Sequence, residues 1–295
     1  MMKDYALYSR GGVITERNAD YATIRLRIPA GVLSVDQVRQ LASISKKYGD
    51  GSLHLTMRQT MEIPHVNPEN LEKIAKALEK NGTPIGAEQN EVVNIMACPG
   101  TERCKYANCE TIDLARKVDE RVFGKELPIR LRIAISGCTH MCNSPLLQDI
   151  GVIGRIRPLR TPGLCTGCGT CVEYCKQCAI VLKNGISVLD EEKCVQCGIC
   201  IHSCPYYLLK SEYDHYQIMV GGRRGDTPRA GRELVTVETE EEVVEVIDRI
   251  VYWVYRNAWS DRRLADQMDE IGYDKFAEGI QKEFGPKEEA AEAGQ

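Results

Sequence analysis

Residues 133–145 read IAISGCTHMCNSP and place Cys138 and Cys142 as a C-x3-C pair in a Gly/Ser/Asn-containing loop after an apolar strand. Upstream, residues 96–104 read MACPGTERC and set Cys98 and Cys104 as a C-x5-C pair. Each cysteine binds one iron, so two such pairs can close around one iron–sulfur cluster. The spacing matches neither a ferredoxin run nor a zinc ribbon. This quartet reads as half of an active site that the rest of the chain feeds or shapes.

Just downstream, residues 165–204 hold nine of the fourteen cysteines. CTGCGTCVEYC supplies Cys165, Cys168, Cys171 and Cys175, and CVQCGICIHSCP supplies Cys194, Cys197, Cys200 and Cys204. Both are C-x2-C-x2-C-x3-C runs, in which the fourth cysteine of each run ligates the other cluster. The expected sets are Cys165, Cys168, Cys171 and Cys204 for one [4Fe–4S] cluster, and Cys194, Cys197, Cys200 and Cys175 for the other. Zinc is the competing reading, and the duplicated register speaks against it. Cys109 and Cys178 fall outside these twelve ligands and read as buried or semi-buried thiols.

Two segments carry arginines on alternating strands. In YATIRLRI (21–28), Ile24, Leu26 and Ile28 share one face while Thr23, Arg25 and Arg27 share the other. In LPIRLRIAISG (127–137), Ile129, Leu131, Ile133 and Ile135 form the apolar face, and Arg130 and Arg132 project opposite. A lone Arg-x-Arg is usually solvated surface. Arg130 and Arg132 lie on the strand that runs into Cys138, which favours a role in the site. Further on, YQIMVGGRRGDTPRAGRE (216–233) sets Gly221 and Gly222 before Arg223, Arg224, Arg229 and Arg232. Glycines let backbone approach a ligand, and guanidinium groups suit carboxylates or phosphates. No Lys-Ser/Thr follows, so this is not a phosphate loop.

Between these motifs, Ser34 and Gln37 make a capping box for a helix to about Tyr48 with Val35, Val38, Leu41 and Ile44 inward. SLHLTMRQTMEI (52–63) reads as one strand, and Asn67-Pro68 opens a helix through Leu71, Ile74, Ala75 and Leu78. The order β-α-β-α suggests a ferredoxin-like half-domain. Helices are also expected over 111–124 and 239–257, with one or two short ones over 262–284. Pro162-Gly163 and 206–213 mark junctions, and Lys287–Gln295 a solvated tail.

A length of 295 residues allows one large or two to three modest domains. A net charge of −4 gives no case for nucleic acid or an anionic membrane as a general partner. The first residues lack an apolar signal core, and no stretch reaches about 20 apolar residues. A cytoplasmic setting is expected, where cysteines serve metals rather than disulfides. There is no G-x-G-x-x-G, so electrons must come from a separate donor rather than directly from a nicotinamide.

Together these motifs resemble the siroheme sulfite and nitrite reductases, over nearly the whole chain. IRLRIPAG with LTMRQT is similar to that family's N-terminal signature, and VGGRRGDTPR to its segment beside the macrocycle. An eight-cysteine insertion before that segment resembles the dissimilatory-type and anaerobic sulfite reductases. The resemblance implies an α+β fold: a ferredoxin-like half-domain (1–88), a siroheme/[4Fe–4S] domain (89–160 and 214–295) and an inserted two-cluster ferredoxin domain (161–213). It implies siroheme and three [4Fe–4S] clusters, with Cys142 bridging cluster and siroheme iron. Arg25, Arg130 and Arg132 would face the anion. Arg27, Arg58 and Gln59 would meet siroheme carboxylates, and Gly221, Gly222 and Arg223 would follow the macrocycle edge. The implied reaction is six-electron reduction of sulfite to sulfide. Nitrite reduction to ammonia, and an electron-transfer subunit without turnover, are the alternatives. Val93 stands near a second distal arginine of assimilatory relatives, Arg130 and Arg132 stand for a common Lys-x-Lys, and Glu62 for a common amide. One half where relatives carry two implies a homodimer or larger assembly.

Overall fold

The computed structural model describes residues 11–160, 165–259 and 262–285; the expectations for residues 1–10, Pro162-Gly163 and Lys287–Gln295 lie outside them. The N-terminal unit contains β1 (Val13–Thr15), β2 (Ala22–Arg25), α1 (Val35–Tyr48), β3 (His54–Leu55), β4 (Met61–Val66) and α2 (Leu71–Lys80). Its sheet runs β1-β2-β4-β3 with every pair antiparallel. Ile24, Leu26 and Ile28 are buried with Leu41, Ile44, Ile63, Ile74 and Leu78, as the alternation and helical spacing require. The Ser34–Gln37 capping box forms, a device worth about 1 kcal/mol.

The expected β-α-β-α order becomes β-β-α-β-β-α, because the first strand foreseen is half of a hairpin and the second folds into one. Residues 52–63 do not make one strand. They turn at Thr56–Thr60, where Thr56 N–H donates to the Thr60 carbonyl (2.9 Å) and Gln59 takes φ +55°. Met57 is therefore 88% exposed at the tip. Val35 and Val38 are exposed too; the buried helix face passes instead through Leu41, Ile44 and Ser45.

The second unit is a five-stranded sheet in the order β11-β10-β7-β6-β5. It comprises β5 (Met96–Ala97), β6 (Ile133–Ser136), β7 (Ile150–Arg160), β10 (Leu209–Val220) and β11 (Arg232–Val237). β5, β6 and β7 are parallel; β10 is antiparallel to both β7 and β11. α3 (Gly100–Arg103) follows β5, and α4 (Ile112–Val122) and α7 (Glu240–Asn257) pack against each other over the core. α8 (Leu264–Gln267) and α9 (Tyr273–Phe284) close that core with Leu264, Met268, Tyr273 and Ile280.

Between β7 and β10 lie α5 (Thr170–Tyr174), the hairpin β8 (Ile180–Lys183) and β9 (Ile186–Leu189), and α6 (Ile199–Ser203). The segment expected as a junction at 206–213 is not a loose linker. Leu209 already pairs with Arg160, so the two long strands carry the insertion out of the sheet as a ribbon whose register shifts between Ser211 and Asp214.

Candidate functional site

The Cys98 quartet is assembled at the ends of neighbouring parallel strands. Cys98 follows β5, Cys104 caps α3, and Cys138 and Cys142 follow β6. Gly137 N–H donates to Cys98 Sγ (3.1 Å), and Cys138 Sγ meets His140 Nδ1 (3.4 Å). The loop then folds back. Asn143 Nδ2 donates to the Ile135 carbonyl (2.9 Å), which leaves Cys142 exposed. Burial pushes the Cys138 thiol up, and Cys98, Cys104 and Cys142 add to that push, so all four share one electrostatic neighbourhood.

In the insertion, one small cavity is bounded by Cys165, Cys168, Cys171 and Cys204, and a second by Cys175, Cys194, Cys197 and Cys200. Each set borrows its fourth cysteine from the other run, the crossing that the spacing predicts. Gly169 and Gly198 open α5 and α6 at φ +82° and +74°, a conformation that glycine adopts without strain. Main-chain N–H groups point at the sulfurs: Ala179 at Cys175 (3.3 Å), Gln196 at Cys194 and Leu208 at Cys204 (both 3.4 Å). Burial pushes Cys200 up to about 12, with Cys197, Cys194 and Cys175 adding to it. Four crowded thiols resist ionisation unless cationic charge is placed among them, so the donor sets fit metal clusters. Among the described residues no three or more His, Cys, Asp or Glu side chains gather as they would around a single ion. Cys109 is buried in the main core, where a Cβ on Gly154 would collide with its sulfur, and Cys178 is exposed; neither lines the two cavities.

A separate cleft of about 400 Å³ is lined by Glu88, Arg130, Arg132, Asp149, Arg262 and Arg263, among others. Glu88 is its hub. Its carboxylate meets Arg25 Nη1 (2.5 Å), Arg58 Nη1 (3.3 Å) and Arg130 Nη1 (3.5 Å). Burial brings Arg58 down to about 10; Glu88 opposes this, and Arg132, Arg130 and Arg25 add to it. Asp149 heads β7 and accepts the Arg132 main-chain N–H (2.9 Å). Burial pushes its carboxyl up to about 6, against the pull of Arg132, Arg130 and Arg58. Siroheme carries eight carboxylates, and this concentration of guanidinium groups fits such a group.

The other expected positions are engaged within the chain itself. Arg27 does not face the cleft. It is 2% exposed, donates to Asp119 Oδ1 (2.9 Å) and the Val92 carbonyl (2.7 Å), and lies over the Phe123 ring, because the second unit covers that face of the strand. Gln59 spends its amide on Ala97, donating to its carbonyl and accepting its N–H (both 2.8 Å). Gly221 and Gly222 are demanded by the chain itself: a Cβ on Gly221 would strike Met268, and one on Gly222 the carbonyls of Leu146 and Gln148. Arg223 donates to the Thr227 carbonyl (2.7 Å) and pairs with Asp266. Arg25 is divided between Glu88 and Glu62, and Glu62 also meets His54 Nδ1 (2.7 Å). Val93 is fully buried.

The sequence reading missed Glu88, Asp149, Arg262 and Arg263. Asp149 had one usable signal, an acid placed directly before the apolar strand IGVIG. The other three sit in unpatterned segments.

The model of the nitrite and sulphite reductase 4Fe-4S domain matches residues 88–288, and that of the nitrite/sulfite reductase ferredoxin-like half domain matches 14–81. One of the subunits of the anaerobic sulfite reductase of Salmonella typhimurium is 30% identical over 245 residues, covering 77% of this chain and 72% of that protein. A coenzyme F420-dependent sulfite reductase of Methanocaldococcus jannaschii is 31% identical over 281 residues, covering 94% of this chain but 45% of the longer protein. The crystal structure of dissimilatory sulfite reductase I superposes with TM-score 0.75 at 19% identity, over 93% of this chain and 72% of that one.

Proposed function

Because the chain belongs to the nitrite and sulphite reductase family, we propose that it reduces sulfite to sulfide in six one-electron steps, the electrons entering through the insertion. One observation carries this reading: the strand that brings Cys138 and Cys142 to their quartet is preceded by Arg130 and Arg132, which line the cationic cleft.

The residues that would hold siroheme are Cys142, Arg58 and the cleft arginines, and the Cys98 quartet would hold the coupled cluster. When bound, siroheme coupled to a cluster would supply successive electrons to the sulfite anion. Arg130 and Arg132 hold and orient that anion by charge-assisted hydrogen bonds. Arginine keeps its proton, so neither serves as acid. The Asp149 carboxyl, pushed up to about 6 by burial, is placed to hold and yield a proton near neutrality. A second copy of this chain, or a related chain, completes the cation set, a reading that the multi-chain naming of the Salmonella relative supports. A separate protein supplies the electrons.

Anaerobic product analysis with reduced methyl viologen tests the proposal. Sulfite should give stoichiometric sulfide, and Cys142→Ser should abolish it while both insertion clusters remain visible by EPR. Siroheme-loaded protein that yields no sulfide would overturn it, and ammonia from nitrite alone would redirect it to the other substrate of the family.

A further inference from the structure

Among the described residues, most polar contacts between the insertion and the core strands lie beside one of its two cysteine cavities. Those to β7, and to β10 beyond its first residue, fall on residues 191–198; at the foot of β10 the Leu209 main chain also hydrogen-bonds Cys204. Arg157 Nη2 donates to Glu191 Oε2 (3.1 Å) and Arg155 Nη1 to the Val195 carbonyl (2.7 Å). Ile156 N–H donates to the Gln196 carbonyl (3.0 Å), and His215 Nε2 meets Gln196 Oε1 (2.7 Å). The cavity closed by Cys175, Cys194, Cys197 and Cys200 is therefore the inner one. In the outer cavity, Cys165 Sγ accepts the Ser187 main-chain N–H (3.5 Å) and Cys168 Sγ meets the Thr170 hydroxyl (3.4 Å), both partners within the insertion.

One side chain spans the gap between the inner quartet and the Cys98 quartet. Asn108 is 6% exposed and comes from the segment after Cys104. Its Nδ2 donates to the Cys197 carbonyl (3.3 Å) and to the Gly154 carbonyl (3.4 Å). Its main-chain N–H donates to the Gly137 carbonyl (2.6 Å), and Gly137 N–H donates in turn to Cys98 Sγ (3.1 Å). Three hydrogen bonds and the covalent links between them thus join Cys197 to Cys98. A Cβ on Gly198 would press on Asn108 Oδ1, so the glycine keeps this approach open. An asparagine in this place has no need of its Oδ1, which is buried without a hydrogen-bond partner. What the position uses is the donor.

We propose that Asn108 is a positioning residue for electron transfer, carrying the through-bond path from the inner quartet to the Cys98 quartet. The order of travel is then outer cavity, inner cavity, Asn108, Cys98. The inference rests on the reading that the three quartets hold clusters. Each event moves one electron from the reduced inner centre to the oxidised Cys98 centre, breaks no bond, and draws its electron from a one-electron donor.

The test compares wild type with Asn108→Ala, the isosteric Asn108→Asp, and Arg155→Ala, which loosens the insertion away from the path. Reduced methyl viologen is mixed anaerobically with each holoprotein, and freeze-quench EPR follows every cluster. Insertion signals should appear at the wild-type rate in all four proteins. The Cys98 signal should be delayed at least tenfold in both Asn108 variants and unchanged in Arg155→Ala. Limited proteolysis of the holoprotein adds a readout independent of turnover: Asn108→Asp should stay as protected as wild type, whereas Arg155→Ala is cut faster. Undelayed arrival in the Asn108 variants, or equal delay in Arg155→Ala, overturns the proposal alone. Wild type without insertion cluster signals sinks the underlying reading and the proposal together.

Discussion

Arg27 and Asp119 form a buried ion pair across the seam between the N-terminal unit and the five-stranded unit, with Nη2 2.7 Å from Oδ1. Glu91 lies 3.3 Å from Nη1 of the same guanidinium. Asp119 is pushed up by burial even with Arg27 beside it, so removing the cation strands two acids. Arg27→Gln should cost about 3–5 kcal/mol, the usual penalty for breaking a buried pair from one side. Adding Asp119→Asn should return part of it. Urea denaturation of the four proteins in the cycle measures this; additive effects would show that the pair is not coupled.

The same residue marks what a sequence can disclose. Alternation in YATIRLRI correctly separates Ile24, Leu26 and Ile28 from Arg25 and Arg27, yet alternation cannot say whether the other face meets solvent or a second unit. Arg25 reaches the cleft cluster, and Arg27, two residues on, is sealed inside. The grouping of the eight insertion cysteines around two cavities was legible, because the repeated run spaces them to meet there. The turn at Thr56–Thr60 was not, since TMRQT holds no Gly, Pro, Asn or Asp and Gln59 takes the positive φ. Glu88 and Asp149 were hidden for a further reason: each is a single acid whose meaning comes from arginines remote in sequence.

Asp149 makes stability depend on pH. Its folded carboxyl titrates near 6, and its unfolded one near 3.8. Below both values each state is protonated and nothing is lost. Between them the folded state keeps a proton that the unfolded state has released, so stability falls as pH rises towards about 6 and is level above. The loss is on the order of 3 kcal/mol. Asp149→Asn keeps an acceptor for the Arg132 N–H and should remove this fall, leaving the variant more stable than wild type at pH 7.5 and similar at pH 4. Thermal melts of siroheme-free protein across pH 4–8 would show it; parallel curves would refute the assignment.

Glu88 restrains the cleft. Its single carboxylate lies against Arg25, Arg58 and Arg130 at once, competing with any anion for the same guanidinium groups. Glu88→Gln should tighten binding of sulfite to siroheme-free protein by about tenfold, or roughly 1.4 kcal/mol. The gain should shrink between 50 and 300 mM salt, roughly as screening grows. Burying three cations without their partner should also lower the melting temperature in the absence of anion. Calorimetric titration at two salt concentrations separates these effects, and unchanged affinity would remove Glu88 as the competitor.

If the two cavities of the insertion hold clusters, the crossing of the runs gives each single cysteine a remote consequence. Cys175 ends the first run in sequence but shares its cavity with Cys194, Cys197 and Cys200. Cys204 ends the second run and shares a cavity with Cys165, Cys168 and Cys171. If ligation followed the runs, Cys175→Ser would damage the outer centre. With the crossing, it should damage the inner one, beside Val195 and Gln196, and slow electron arrival at the Cys98 centre while the outer centre still reduces normally. Cys204→Ser should do the reverse, leaving the inner centre intact but losing the outer. Iron content falling by about one cluster in each variant, with opposite EPR signals missing, is the expected pattern; the inner signal surviving Cys175→Ser while the outer one is lost would return the two runs to independent ligation.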